Sequence, residues 1–470
     1  LPVEKTAGDA VYGGTMNRAG LLRLRATRVG RETALGQIIR LVEAAQGSKA
    51  PVQRLADRVA AVFVPVVLVI AALTFAAWLL LGPEGAATYA TLNAVAVLII
   101  ACPCAMGLAT PTAITLGTGR GAEQGILFRN GEALEAMQKV RTVVFDKTGT
   151  LTEGRPRVTD IMTLEWKEAE LLRLAAAAER GSEHALGAAI VQAASERGLD
   201  LPDVTGFEAV PGKGLLATVE GHDVAIGTRR LLEDEGVRAE ALARRGDALA
   251  EQAKTIAYVA IDGRAAGAIA IADTLKPEAA EAVRRLRAMG RDVMLLTGDN
   301  GATARAIAGQ AGILTIIAEV LPGDKAKVVR ELQNQGKNVA MVGDGVNDAP
   351  ALVQADAGIA IGTGADVAVE SADVTLMRGD PRGVADAIEL SRRTMRTIRL
   401  NLFWAFAYNV ALIPVAAGLL YFVFRDTVVP DSLHWAIGDN GFLNPMLAGA
   451  AMAFSSVSVM ANSLFWLGRR

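Results

Sequence analysis

Residues 146–152 read Asp-Lys-Thr-Gly-Thr-Leu-Thr, and they follow the apolar run Val143, Val144 and Phe145. That run predicts a short buried strand with Asp146 at its carboxyl end. A carboxylate placed there can attack a phosphoryl group and become an acyl phosphate, which divides one hard transfer into two easier ones. Lys147 supplies positive charge, while Thr148, Gly149 and Thr150 offer hydroxyls and backbone N–H groups to phosphate oxygens. An isolated Asp-Lys pair would be an ordinary acidic turn. Seven consecutive residues of this kind point to phosphoryl transfer.

Two further segments belong to the same chemistry. Val293-Met294-Leu295-Leu296 runs into Thr297-Gly298-Asp299, and Val339-Ala340-Met341-Val342 runs into Gly343-Asp344-Gly345-Val346-Asn347-Asp348. Each is an apolar strand ending in a Gly/Asp turn, with helical patterns between. That alternation predicts a parallel sheet, whose ligands gather outside the strand carboxyl ends. Three such turns meeting there would bring Asp146, Asp344 and Asp348 together as hard oxygen ligands suited to Mg²⁺. Thr297, and Lys325 in Leu321-Pro322-Gly323-Asp324-Lys325, would hold the phosphate. The three segments in this order predict a haloacid-dehalogenase-like, Rossmann-type phosphorylation domain.

Composition sets the surroundings. The chain has 470 residues, 51% of them hydrophobic, with a mean hydropathy of +0.31, which is too apolar for a purely soluble protein. A net charge of −2 leaves no basic excess for a nucleic-acid partner. Four runs free of charge, 59–83, 85–119, 400–424 and 440–468, each exceed the ~20 residues needed to cross a hydrocarbon core. Four transmembrane helices are therefore expected, with membrane lipid as their partner. Arginines cluster at one set of ends, among them Arg54, Arg58, Arg120, Arg392, Arg393 and Arg399, whereas the opposite connections carry only Arg425. By the positive-inside tendency, the segment from Arg120 to Arg399 and its phosphoryl site face the cytoplasm. Residues 121–138 read as a polar, helical exit from the second span, and residues 33–45 as an amphipathic helix leading to the first.

Only two cysteines occur, and Pro103 lies between them. A disulfide framework is excluded, which leaves a reduced, metal-facing or simply buried pair. Proline removes a backbone N–H and collides with the carbonyl of Ile99, so the second span must kink or unwind there. Cys102 and Cys104 beside freed carbonyls, in a low-dielectric core, form a site for a soft ion. The third uncharged run carries Tyr408 and Asn409. The fourth carries Met452 and Ser456, four residues apart and hence on one helical face. Neither run contains Asp, Glu, Lys, Arg or His. Thiolate and thioether without carboxylate favour Cu(I) (or Ag(I)) over a divalent ion. Asp57, at the cytoplasmic end of the first span, is either an entry residue for ions or an ordinary helix-end carboxylate.

Together, Asp-Lys-Thr-Gly-Thr-Leu-Thr, Thr-Gly-Asp, Gly-Asp-Gly-Val-Asn-Asp and an intramembrane Cys-Pro-Cys resemble the heavy-metal-transporting P-type ATPases. The Tyr-Asn pair and Met-x-x-Ser-Ser resemble the copper-exporting branch; the zinc and cadmium branch usually adds a charged residue in the last spans. The resemblance covers essentially the whole chain. It implies ATP-driven export through an aspartyl phosphate, with ATP and Mg²⁺ as cofactors, in the cell (inner) membrane of a bacterium. It also admits a cytosolic copper chaperone as partner and a monomeric protein.

Ser182-Glu183-His184-Ala185-Leu186 is similar to the family's Ser-Glu-His-Pro-Leu nucleotide motif, with Ala185 in place of proline. The resemblance implies ATP contacts from Glu179, His184, Gly212 and Gly214, with Asp299 added from the Thr-Gly-Asp turn. The implied domains are the end of a β-rich actuator domain (1–47), a helix pair with Cys-Pro-Cys (48–120), and a linker with the first part of the phosphorylation domain (121–152). An α+β nucleotide-binding insert (153–272), the second part of the phosphorylation domain (273–390) and a final helix pair (391–470) follow. Residues 1–5 resemble the family's continuation after its Thr-Gly-Glu-Ser loop. The dephosphorylating glutamate, earlier membrane helices and any amino-terminal metal-binding domain are therefore expected upstream, and the 470 residues alone are not expected to complete a transport cycle. Two alternatives stand beside Cu(I) export: a Zn²⁺ or Cd²⁺ pump, and a metal-binding membrane fragment that transports nothing.

Overall fold

The computed structural model describes residues 11, 23–27, 29, 51–82, 85–182, 185–210, 213–250, 252, 254–299, 301–344, 348–362, 371–424, 429–438 and 441–468. The helix expected over 33–45 and most of the β-rich amino-terminal segment lie outside them. The chain forms two compact units, one of residues 1–139, 373–375 and 386–470, the other of residues 140–372 and 376–385.

The first unit holds four helical segments long and apolar enough to cross a membrane: Pro51–Leu81, Ala86–Glu123, Arg382–Ala416 and Pro445–Leu467. Their apolar residues do not all turn inward; Leu80, Leu81 and Phe454 are exposed, as a lipid-facing surface requires. The second segment is two helices, Ala86–Ile100 and Cys104–Glu123, with the break at Pro103 that the sequence predicts. One detail differs. The Ile99 carbonyl is not left free, because the Cys102 N–H donates to it at 3.2 Å.

The continuous polar helix expected over 121–138 is also corrected. Gly125, at φ +78, ends the Cys104–Glu123 helix. The apolar Ile126–Phe128 then forms a buried strand, β1. A new helix, Gly131–Lys139, starts where Asn130 Oδ1 accepts the Ala133 N–H at 2.7 Å.

The Arg382–Ala416 helix ends before the uncharged run does. Gly418 adopts φ +96, and a short helix, Leu419–Phe424, follows. The Trp78 indole fills this bend: its Nε1–H donates to the Ala417 carbonyl at 2.7 Å, and its ring stacks edge-on against Phe442 and Tyr421. A Cβ on Gly418 would lie 2.6 Å from the indole. At the other end of the same helices, Asn401 donates to Ser463 at 2.8 Å and accepts from Asn462 at 2.7 Å, which joins the last two spans by hydrogen bonds.

The second unit contains β2 (Thr142–Asp146), β3 (Thr152–Thr163), β4 (Val204–Val210), β5 (Gly214–Val219), β6 (His222–Gly227), β7 (Thr255–Ile261), β8 (Arg264–Leu275), β9 (Asp292–Leu296), β10 (Thr315–Ile317), β11 (Val339–Gly343) and β12 (Ala357–Ile361). Strands β12, β11, β2, β9 and β10 pair in that order, all parallel, with β2 central and buried along its whole length. Burial on both faces explains its uninterrupted apolar run. The other strands form an antiparallel sheet in the order β3-β8-β7-β6-β5-β4. Helices Glu168–Glu179 and Ala185–Glu196 pack on it. Ala175, Ala176, Ala177 and Ala178 are all fully buried there, because only methyl-sized side chains let the backbone approach this closely. Strands β3 and β8 carry the chain away from the parallel sheet and back, pairing Thr152 with Leu275.

Gly418→Ala should lower stability by about 2 kcal/mol or more, since the new methyl group meets both a left-handed backbone and the indole. Thermal unfolding in detergent measures this; an unchanged midpoint would contradict the role given to the bend.

Candidate functional site

The parallel strands β2, β9 and β11 all end at one edge of the sheet, and each delivers acid or hydroxyl groups there. Asp146 closes β2, with only 5% of its surface exposed. The chain turns sharply after it, through Thr148 in an extended conformation and Gly149 at φ +70. A Cβ on Gly149 would stand 2.8 Å from Asp344 Oδ2, so glycine is what lets the loop pass beside that carboxylate. Lys325 reaches in from the first turn of the Lys325–Asn334 helix and bridges two acids, Asp146 Oδ1 at 2.5 Å and Asp348 Oδ1 at 2.6 Å. Lys147 pairs with Asp299 Oδ2 at 2.6 Å. Thr297 is buried, and its Oγ1 accepts the Asp299 N–H at 3.2 Å.

Electrostatics make Asp146 unusual. Burial, with Asp348 and then Asp344 adding negative charge, raises its pKa from 3.8 to about 7, against the opposing pull of Lys325. Burial works against the Lys325 ammonium, but Asp146 and Asp348 outweigh it and hold its pKa above the usual lysine value. Among the described residues no three carboxylate, thiol or imidazole groups are spaced to hold a metal ion, and Lys325 is what separates Asp146 from Asp348.

Two residues at this site escaped the sequence reading. Asp273, in β8, accepts from Thr152 Oγ1 at 2.5 Å and from the Gly154 N–H at 2.9 Å. Lys276 donates to the carbonyls of Gly149 at 2.8 Å and Gly379 at 3.0 Å. Both hold the loop that follows Asp146. The available signal was charge returning after the apolar residues 265–272, which is weak alone because strand ends are commonly polar.

In the first unit, Cys102 and Cys104 flank Pro103 in the helix break. Their Cα atoms are 5.4 Å apart, close enough for both sulfurs to face one site. The sequence leaves a reduced, metal-facing or simply buried pair, and the break holds the two cysteines side by side. Asn409 is almost fully buried against this break. Its amide nitrogen donates to Cys102 O at 3.5 Å in one orientation; in the flipped orientation it donates to Ile100 O and Ala405 O, each at 3.3 Å. The flipped amide makes two shorter bonds and fits better. Met452 is buried in a cluster with Val97, Ile100 and Ala101, directly before Cys102. Ser456 is less buried and donates back to Met452 O at 3.3 Å, whereas Ser455 is 1% exposed and faces the bundle. Spacing alone did not separate these neighbouring serines. Tyr408 lies against Trp404, ring centroids 6.0 Å apart.

The haloacid dehalogenase-like hydrolase family matches residues 140–356, and the P-type ATPase actuator domain matches residues 1–43. A probable copper-exporting P-type ATPase V of Mycobacterium tuberculosis is 57% identical over 466 residues, 99% of this chain and 57% of that protein. A copper-exporting P-type ATPase of Bacillus subtilis is 52% identical over 99% of this chain and 55% of that protein. The crystal structure of a zinc-transporting PIB-type ATPase in its E2.Pi state is 36% identical, covering 93% of this chain and 68% of that one, with a TM-score of 0.76. The chain belongs to the P-type ATPases. It spans little more than half the length of the curated relatives it matches.

On this P-type ATPase frame, Asp146, Lys147, Thr297, Asp299, Lys325, Asp344 and Asp348 gather at one sheet edge, and Thr148 is exposed in the loop beside it. The nucleotide residues are more dispersed. A groove of about 510 Å³ runs along helix Ala185–Glu196 where helix Glu168–Glu179 ends, lined by Glu179, Ser182 and Gln192 among others. His184 and Gly212 lie outside the described residues. Gly214 has a packing reason of its own: at φ +147 it crosses Gly227 so closely that a Cβ would strike the Ile226 carbonyl.

The Asp146 carboxyl favours its neutral form in the folded protein, so its contribution to stability is full below the unfolded pKa of 3.8 and is lost as pH rises to about 7. Asp146→Asn removes that loss, which is at most ~4 kcal/mol. Its melting temperature should exceed that of the parent by roughly 4 °C or more at pH 8, with the gap closing toward pH 4. Equal melting temperatures at pH 8 would show that Asp146 is not penalised as described.

Proposed function

We propose that the protein exports Cu(I) from the cytoplasm, driven by ATP, with Asp146 as the phosphoryl acceptor. The observation that carries the choice of ion is the pair Cys102 and Cys104 at the helix break, with buried Met452 packed on the preceding Ile100 and Ala101, buried Asn409 reaching the backbone there, and no Asp, Glu, Lys, Arg or His in either of the last two uncharged runs. A divalent ion bound there would lack the carboxylate that offsets its second charge in a low-dielectric setting. Cu(I) needs none and accepts two or three sulfur ligands. Reduced Cys102 and Cys104 would bind it, with Met452 and Asn409 at hand and Tyr408, Ser455 and Ser456 near the site. The copper-exporting names of the relatives support the same reading.

In the phosphorylation step an Asp146 oxygen attacks the γ-phosphorus of ATP, the bond to the bridging oxygen breaks, and ADP leaves. Water later splits the aspartyl phosphate to release inorganic phosphate. Lys325 and Thr297 are placed to hold the phosphoryl oxygens; Lys147, tied to Asp299, adds positive charge. Excess carboxylate charge around Asp146 fits a divalent cation, and Mg²⁺ held by Asp146, Asp344 and Asp348 would neutralise phosphate charge. ATP would reach the site from the second sheet, using the groove beside Glu179, with His184, Gly212 and Gly214 completing the contacts. The catalytic unit faces the cytoplasm of a bacterial cell, where a copper chaperone could deliver the ion to a monomeric pump.

A Zn²⁺ pump is the second reading, since a zinc-transporting PIB-type ATPase is among the similar solved structures. ATP hydrolysis by the full-length protein should be stimulated by Cu(I) or Ag(I) under reducing conditions and lost in Cys102→Ser. Strong stimulation by Zn²⁺ or Cd²⁺ with none by Cu(I) would replace the copper reading.

A further inference from the structure

Asn93 stands out in the second span. It is 0% exposed, and neither its amide oxygen nor its amide nitrogen has a hydrogen-bond partner among the described residues. A primary amide buried this way costs about 1–3 kcal/mol per unpaired group. Polar groups kept at such cost inside a membrane segment usually face a pathway rather than a packed core. The position fits that reading. Asn93 shares the buried face of helix Ala86–Ile100 with Ala90, Val97 and Ile100. Val97 and Ile100, one and two turns toward Cys102, pack in the cluster that contains Met452. Ala90, one turn the other way, packs under Trp78 and Phe442. Asn93 therefore lies ~10 Å along the helix from Ile100, at 1.5 Å per residue, on the side away from the arginine-rich ends and beneath an aromatic cover.

Resting on the Cu(I) export reading, we infer that Asn93 is a low-affinity station for the transported ion after it leaves Cys102 and Cys104. Its carboxamide oxygen is a neutral, hard donor and so a poor ligand for a soft monovalent ion. That weakness suits the position. Two thiolates, then the Met452 thioether, then an amide oxygen form a series of falling affinity, and conduction needs the last site to let go. The Trp78 and Phe442 rings pack on Ala90, one turn beyond Asn93, and Trp78 is held in place by its hydrogen bond to Ala417.

The test is Asn93→Leu, which keeps side-chain volume and removes both unpaired polar groups, so the variant should fold with an equal or higher melting temperature. In the full-length protein, Cu(I)-dependent phosphorylation by ATP should stay within about two-fold of the parent, because loading at the thiols is untouched. Steady-state turnover should fall about ten-fold, a barrier increase of ~1.4 kcal/mol, and the phosphoprotein should persist correspondingly longer in a chase. Asn93→Ser, which keeps one oxygen donor, should recover part of the turnover. Parent-like turnover in Asn93→Leu overturns the assignment, as does loss of phosphorylation in both variants, which would make Asn93 a structural residue. If the unaltered protein itself shows no Cu(I)-dependent phosphorylation, the export reading fails first and the station falls with it.

Discussion

The contact between Lys325 and the paired carboxylates Asp146 and Asp348 is the constraint on which the catalytic unit depends. Two buried acids, Asp146 at the end of β2 and Asp348 at the start of the helix Ala349–Gln354 that follows β11, would repel each other, and one ammonium placed between them offsets much of that repulsion. The compensation is incomplete: Asp146 still prefers its proton up to about pH 7. For the proposed phosphoryl acceptor this is a poised state, since a cation or an approaching phosphoryl group changes its charge balance at once. The rest of the unit serves that arrangement. The buried strands β2, β9 and β11 bring the residues to one edge, Gly149 lets the loop pass Asp344, and Asp273 and Lys276 hold the loop from β8.

The membrane unit meets a related problem by different means. An apolar helix satisfies all its backbone groups, so it offers nothing to an ion. Pro103 breaks that closure; the buried Asn409 amide reaches the backbone carbonyls at the break, and Met452 packs on Ile100 and Ala101 just before Cys102. The charge that the catalytic unit concentrates is absent here. Neutral and soft groups take its place, and they match an ion carrying a single charge.

Much of this was legible in the residues. Strands β2, β9 and β11 announce themselves as four or five apolar residues cut off by Gly and Asp, and the four spans follow from the length of their uncharged runs. The helix break follows from Pro103. What local pattern could not show were partners fixed by the tertiary fold. Asp273 is 119 residues from the Gly154 N–H it accepts. The Ile99 carbonyl is recaptured by a tightened turn that no spacing rule distinguishes from a kink. Ser455 rather than Ser456 faces the bundle because helix rotation is set by packing against neighbouring spans. The three apolar residues of β1 are too few to show a period, so local pattern carries the expected helix straight through them.

The central claim is that a buried, charge-strained Asp146 accepts phosphate under the control of the membrane thiols. Phosphorylation of the full-length protein with γ-labelled ATP, with and without Cu(I) under reducing conditions, tests it most directly. The account predicts an acid-stable, hydroxylamine-sensitive phosphoprotein that forms with Cu(I), disappears in Asp146→Asn, and no longer responds to Cu(I) in Cys104→Ser. Unchanged labelling in Asp146→Asn would contradict it.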